Sequence, residues 1–293
     1  MTQLKEIKEE FIEALKGLYD SQETSELYWL SLEHVLELDR VQLKLNEKLR
    51  FNEAQISQLQ KILGELVTGR PLQHIIGYSW FYGEKFIVNK SVLIPRPETE
   101  ELVAWIIDDA TQLKTQNEPI CILDIGTGSG CIPIILKKKI RHRTQIHAVD
   151  ISPEALEVAK ENAESNKADI DFLQLDILQA EPYVNQLNQK FDIIVSNPPY
   201  ISREEESEMH SNVLDHEPHQ ALFVDQEDPL IFYKSIADFA LKNLHDRGRL
   251  YFEINQRYGN ILIDYLTSSG FKDIVLSKDI SGNDRMIRAS LFS

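Results

Sequence analysis

The sequence has few residues that could cross-link it, hold a metal or anchor it. Its 293 residues include two cysteines, Cys121 and Cys131. Two are too few to staple a chain of this size, and no Cys-X-X-Cys pair points to a metal site, so no metal is expected. No apolar run approaches the roughly 20 residues that span a bilayer. The start, Met1-Thr2-Gln3-Leu4-Lys5-Glu6, lacks the apolar core of a secretory signal. The expected setting is a reducing cytoplasm, away from membranes. Positive charge is scarce as well: 31 Lys and Arg stand against 47 Asp and Glu, a formal net charge of −16. Proteins that grip duplex DNA through many phosphates carry a basic surface instead. The one basic cluster, Lys137-Lys138-Lys139 with Arg141 and Arg143, reads as a solvated helix end, and no basic segment interleaved with aromatics is found. Direct nucleic-acid binding is not expected.

What is present falls into three stretches. Residues 1–73 read as helices. Phe11, Ile12, Leu15, Leu18 and Tyr19 share one face, and Leu27, Leu30, Val35 and Leu38 form a second. A third helix opens at Asn52, a good N-cap, with Ile56, Leu59, Ile62, Leu63 and Leu66 at helical spacing. Short amphipathic helices bury a face only against one another, so a small bundle is predicted. Residues 74–98 read as a β-hairpin linker. Aromatic and β-branched runs, Ile76–Tyr82 and Lys85–Val88, surround a turn at Gly83-Glu84. Leu93-Ile94-Pro95-Arg96-Pro97 then runs extended before a helix near Thr99.

Residues 99–293 alternate strand and helix. Strand candidates are Ile120–Ile125, Gln145–Val149, Asp171–Leu175, Phe191–Ser196, Arg249–Ile254, Lys272–Ser277 and Arg285–Phe292. Such alternation predicts a mostly parallel α/β sheet covered on both faces. The last two candidates are joined only by Lys278–Asp284, too short for a crossover helix, so that pair is expected to be antiparallel.

Leu123-Asp124-Ile125-Gly126-Thr127-Gly128-Ser129-Gly130 leaves one strand and opens a helix. Its glycines let the backbone turn and let a ligand approach closely. Asp150 ends the next strand, where a carboxylate can accept bonds from both ribose hydroxyls. Together they predict an adenosine-containing ligand. The spacing is GxGxG with Asp124 in the strand, rather than the GxGxxG that faces a pyrophosphate. That form is associated with S-adenosylmethionine, which has no phosphates. Asp176 is a candidate acceptor for the adenine amino group, with Ile177 packing on the ring.

A second apolar strand ends in Asn197-Pro198-Pro199-Tyr200. Two prolines stop the strand and stiffen the loop. It is expected to aim the Asn197 side-chain oxygen and the Pro198 carbonyl into the cleft, beside the flat face of Tyr200. This suits methylation of a planar NH2 group on an sp² carbon. The nitrogen lone pair of a carboxamide is delocalised, so two acceptors on its N–H bonds and close alignment with the methyl donor are what the chemistry requires. No general base is expected.

These motifs resemble the release factor glutamine methyltransferase (HemK/PrmC) family of class I S-adenosylmethionine-dependent methyltransferases. The similarity runs from about Arg70 to the end and includes Gly69-Arg70-Pro71, Leu93-Ile94-Pro95-Arg96-Pro97-Glu98-Thr99-Glu100, the glycine loop, Asn197-Pro198-Pro199-Tyr200 and Glu217-Pro218. Asn-Pro-Pro-Tyr is shared with adenine-N6 nucleic-acid methyltransferases, the alternative reading; the Pro-Arg-Pro-Glu-Thr-Glu segment is particular to this family. The resemblance implies a Rossmann-like sheet of seven strands with the last antiparallel, preceded by a helical domain for docking the substrate protein. It implies transfer of a methyl group from S-adenosylmethionine, leaving S-adenosylhomocysteine, to the side-chain nitrogen of the Gly-Gly-Gln glutamine in class I peptide chain release factors, modulating translation termination. Gly126, Thr127, Gly128, Ser129, Gly130, Asp150 and Ile177 would contact the cofactor. Asn197 would touch both cofactor and substrate, and Pro198, Pro199 and Tyr200 would hold the glutamine. A monomer is expected. The chain departs from the family pattern at His74, often Tyr, and across Ala221–Pro229, which lacks the usual glycines.

Overall fold

The computed structural model describes residues 4–46, 49–113, 118–179, 187, 189–201, 216–224 and 228–291. The chain divides into two compact units, one of Met1–Tyr78 with His210–His216 and the other of Ser79–Met209 with Glu217–Ser293. Asp225, Gln226 and Glu227, in the loop that lacks the usual glycines, lie outside the described residues, as does Phe292.

Five helices make up the described part of the first unit: α1 Leu4–Leu15, α2 Ser21–Leu36, α3 Arg40–Leu45, α4 Glu53–Val67 and α5 Leu72–Ile76. Side-chain caps fix the starts of α2, α3 and α4. Asp39 with Gln42 and Asn52 with Gln55 form reciprocal capping boxes, each satisfying two backbone N–H groups that have no partner within the helix. Ile7, Phe11, Leu15, Tyr28, Leu32, Leu59 and Leu66 fill the core. The expected faces need correction. α1 ends at Leu15, so Leu18 lies beyond the helix, and both Leu18 and Ile12 are exposed. On α2 the fully buried apolar residues are Tyr28 and Leu32, while Leu27, Leu30 and Val35 are only partly covered.

The hairpin pairs β1 Tyr78–Phe81 with β2 Glu84–Ile87. Ile76, expected to open the first strand, instead ends α5, which Gly77 closes at φ 81°. The turn sits one residue earlier than expected, at Tyr82 (φ 53°) and Gly83 (φ 77°), the two positive φ values that a two-residue turn matched to strand twist demands. The next helix, α6 Pro97–Ala110, starts before Thr99 because proline is well tolerated in the first helical position, where its missing N–H costs nothing.

The second unit is built on a seven-stranded sheet. Its elements are β3 Ile120–Ile125, α7 Cys131–Lys139, β4 Thr144–Asp150, α8 Pro153–Ser165, β5 Asp171–Gln174, β6 Phe191–Ser196, α9 His219–Leu222, α10 Ile231–Asn243, β7 Leu244–Glu253, α11 Gly259–Ser268, β8 Lys272–Lys278 and β9 Asp284–Ser290. The strand order is β5-β4-β3-β6-β7-β9-β8. Strands β3 to β7 run parallel, and β9 is antiparallel to both of its neighbours. This is the α/β sheet with one late antiparallel insertion that the spacing predicts. β7 begins at Leu244, ahead of the expected Arg249, because Leu244 already pairs with Phe191 before the register shifts to Ile193 with Arg249. Helices cover both faces, so β6 places apolar residues on each of them. Phe191 and Ile194 join one core cluster with α10, and Ile193 and Val195 join the other with α6 and α7.

Candidate active site

The order β4-β3-β6 places a topological switch between β3 and β6, where chains leave adjacent strands in opposite directions and open a crevice. Ile125 and Ser196, the last residues of these strands, lie in register, and the Ser196 hydroxyl donates to the Ile125 carbonyl at 2.7 Å. The glycine loop and the Asn-Pro-Pro-Tyr loop therefore start side by side. Between them lies a cavity of about 610 Å3, within the range of small-molecule sites.

Gly126, Thr127, Gly128, Ser129, Asp150, Asp176, Ile177, Asn197, Pro198 and Pro199 all line this cavity. Gly126 and Gly128 have φ of 75° and 53°, and a Cβ on either would meet only open space. Gly130 is not in the wall. A Cβ there would come within 3.2 Å of Ala159, so its role is the turn into α7 and the close approach of α8. Tyr200 does not reach the cavity either. It is partly buried, packed against the core beside β7, and burial pushes its phenol well above its ordinary range. Among the described residues no group of three or more His, Cys, Asp or Glu is placed to hold an ion.

Three acidic groups give the cavity its electrostatics. Asp150 accepts from the Gly128 N–H at 2.8 Å and the Ser152 N–H at 3.0 Å, so this carboxylate organises the glycine loop. Burial pushes its pKa up against those two bonds. Asp124 is fully buried just behind the wall. Neither of its carboxyl oxygens nor the Thr127 hydroxyl has a hydrogen-bond partner among the described residues. Burial pushes the Asp124 carboxyl up to about 7, against the pull of the adjacent Thr127 hydroxyl, whose contact is too poorly aligned for a full hydrogen bond, and the nearby Asp150 charge adds to the rise. Asp176 accepts from the Leu178 N–H and the Gln179 side chain, which caps the short turn at Ile177–Gln179.

Of the remaining wall, Pro95, Arg96, Thr99 and Pro218 were marked by the family resemblance, whereas His219 and Phe223 were not. Pro95, Arg96 and Thr99 line the cavity from one side and Pro218, His219 and Phe223 from another. Glu217 joins the two: its buried carboxylate accepts from Arg96 at 2.6 Å and faces the Ile94 N–H at 3.4 Å. Ile201 and Phe223 form a bridge that returns α9 to the Asn-Pro-Pro-Tyr loop. At the end of β7, Glu253 is buried and accepts from the Thr99 hydroxyl at 2.6 Å. Thr99 in turn lies 3.5 Å from Asn197 Nδ2. Sequence reading did not pick out Glu253.

The unpartnered Asp124 and Thr127 atoms, the open space over the two glycines and the acidic lining fit a cationic, hydroxyl-bearing ligand such as S-adenosylmethionine. They do not fit a pyrophosphate. Sheet and cavity define a class I S-adenosylmethionine-dependent methyltransferase. Solved structures share that fold: the hMettl16 catalytic domain at a TM-score of 0.56 and 15% identity, with 84% of each chain covered, and a human methyltransferase 10 domain containing protein at 0.50 and 17%, covering 70% of this chain and 89% of that one. Residues 106–223 match the methyltransferase small domain family, and residues 6–77 match the PrmC N-terminal domain family. The release factor glutamine methyltransferase of Flavobacterium psychrophilum is 44% identical over 98% of this chain and 99% of its own. Those of Bacteroides thetaiotaomicron and Bacillus subtilis are 39% and 42% identical, over 95% and 75% of this chain and 96% and 75% of theirs. The chain belongs to the release factor glutamine methyltransferase family.

Proposed function

We propose that the protein methylates the side-chain nitrogen of the glutamine in the Gly-Gly-Gln loop of class I peptide chain release factors, using S-adenosylmethionine in the cytoplasm. The observation that carries this reading is the stiff Asn197-Pro198-Pro199 corner in the wall of an acidic cavity, beside the glycine loop. When bound, the donor supplies a methyl group activated by its sulfonium.

The residues of the chain do the rest. Asp150 accepts the ribose hydroxyls with lone pairs left over from its two backbone bonds, and the glycine loop lies against the methionine portion. Asp124, buried behind that loop, favours the positive charge. Asp176 and Ile177 take the adenine. Asn197 Oδ1 and the Pro198 carbonyl accept the two N–H bonds of the glutamine amide. They hold its nitrogen in line with the donor and return electron density to it. Neutral hydrogen bonds contribute only about 1 kcal/mol each, whereas alignment of reacting groups is worth up to about 7–11 kcal/mol. Catalysis is therefore by positioning. The N-terminal helices, residues 1–73, dock the protein substrate, with residues 74–98 as linker and 99–293 as the methyltransferase domain.

The test is mass spectrometry of a release factor peptide after incubation with the enzyme and S-adenosylmethionine. One added methyl on the Gly-Gly-Gln glutamine is the expected outcome. With radiolabelled donor, incorporation into DNA alone would overturn the reading. Asn197→Ala is expected to lower kcat by about 100-fold or more, as removal of a single positioned polar group can, while S-adenosylhomocysteine affinity stays within about threefold.

A further inference from the structure

A carboxamide has two ends, and the glutamine reading requires that the oxygen of Asn197 face the substrate. If the NH2 end pointed there, two donors would meet. Neither β6 nor its proline-stiffened loop decides this, because an amide fits either way round with nearly the same shape.

The deciding groups come from two other elements. Thr99 stands in the first turn of α6 and Glu253 closes β7; both are buried, and the hydroxyl lies 2.6 Å from the carboxylate. That is the length of a charge-assisted O–H···O⁻ bond. An ionised carboxylate can only accept, so the single proton of Thr99 is committed to Glu253. Thr99 Oγ1 then presents lone pairs alone to its other neighbour, Asn197, whose Nδ2 donates to it at 3.5 Å. The bond is long and weak, but the choice it makes is between attraction and repulsion, since an amide oxygen turned the same way would meet another acceptor. With the NH2 end held by Thr99, Oδ1 is the end left for the cavity.

We propose that Glu253 and Thr99 form a positioning relay that fixes the orientation of the Asn197 amide, making its oxygen the substrate acceptor. The inference rests on the glutamine reading and adds two residues to it, neither of which touches the reacting atoms.

The relay has a titratable end. Burial pushes the Glu253 carboxyl up to about 7, while the Thr99 bond and Arg285 lower it. The groups facing it are Arg285 from β9, Arg96 and Glu98 from the start of α6, Tyr200 beyond β6, Tyr233 on α10 and Cys131 on α7. Burial holds Tyr200, Tyr233 and Cys131 in their neutral forms well above neutral pH. Once protonated, Glu253 can donate to Thr99, whose own proton is then free to turn toward Asn197 and invert the preference.

The experiment compares wild type, Thr99→Val and Thr99→Ser in methylation of a purified release factor from pH 6 to 8, alongside S-adenosylhomocysteine affinity and Tm. Valine keeps the shape and removes the hydroxyl. It is expected to lower kcat at pH 8 by about tenfold, the equivalent of one hydrogen bond, with cofactor affinity within about threefold. Serine restores kcat. Wild-type kcat falls as pH drops below about 7, and that fall shrinks in Thr99→Val, which retains whatever Asp124 contributes. Wild-type kcat in Thr99→Val would overturn the relay while leaving the glutamine reading intact. So would equal impairment of the serine and valine variants, with matching losses of Tm. A wild-type enzyme that methylates no release factor would overturn both.

Discussion

The two units handle polar groups in opposite ways. In the helical unit, carboxylates and amides sit at helix starts, where Asp20, Asp39 and Asn52 satisfy backbone N–H groups in contact with water. In the sheet unit, Asp124 and Glu253 are buried at the carboxyl ends of β3 and β7, and neither carboxyl oxygen of Asp124 has a well-formed hydrogen bond among the described residues. Burying a carboxylate without a partner costs several kcal/mol. A chain keeps such a group where something other than stability is served. Buried carboxylates gather at the candidate site, as expected where function overrides folding.

The sharpest way to break the comparison is to remove the unpartnered charge. Because burial raises the Asp124 pKa from 3.8 to about 7, the folded state binds its proton more tightly than the unfolded state. Its contribution to stability is therefore full below pH 4 and is lost as pH rises through 7. Asp124→Asn removes that loss. Denaturant titrations across pH 4 to 8 are expected to show the variant gaining on wild type by about 4 kcal/mol, levelling off above pH 7, while adenosylmethionine affinity declines. A gap that does not change with pH would mean that Asp124 is not a strained group.

Arg96→Ala is expected to lower stability by about 3 kcal/mol, because it leaves Glu217 buried and unpaired. Thermal denaturation of Arg96→Ala and Arg96→Ala/Glu217→Gln checks this, with the double variant recovering part of the loss. At the small end, Asn52→Ala in the helical unit is expected to cost about 1 kcal/mol, the usual value of an N-cap, with kcat unchanged. A kcat loss there that exceeds the stability loss would blur the contrast between the units.

How much of this was legible in the sequence follows from distance along the chain. The glycine loop, Asp150 and the Asn-Pro-Pro corner each announce themselves within a few residues, because a tight turn or a stopped strand is a local event. The seven strands and the late antiparallel pair were readable from periodicity and connection length. The supports of the site were not. Glu253 is 154 residues from Thr99, and Glu217 is 121 residues from Arg96. Nothing local marks Glu253 in an apolar strand as the partner of a hydroxyl on a distant helix. Tyr200, expected beside the cavity from its place in the motif, packs partly buried against the core and is not among the residues of the cavity wall. Boundaries at Gly77 and Leu15 moved because helix ends depend on single residues and on tertiary packing rather than on the periodic pattern.

The position of β9 bears on how the protein is made. It is the last strand in the sequence, yet it lies inside the sheet, between β7 and β8. While the chain is still emerging from the ribosome, β7 can pair with β6 but keeps one raw edge, and the carboxylate at its tip has no neighbouring strand to shield it. Residues 120 to 253 can thus be assembled while that edge is still open, and synthesis of β9, which sets Met286 beside Glu253, closes it.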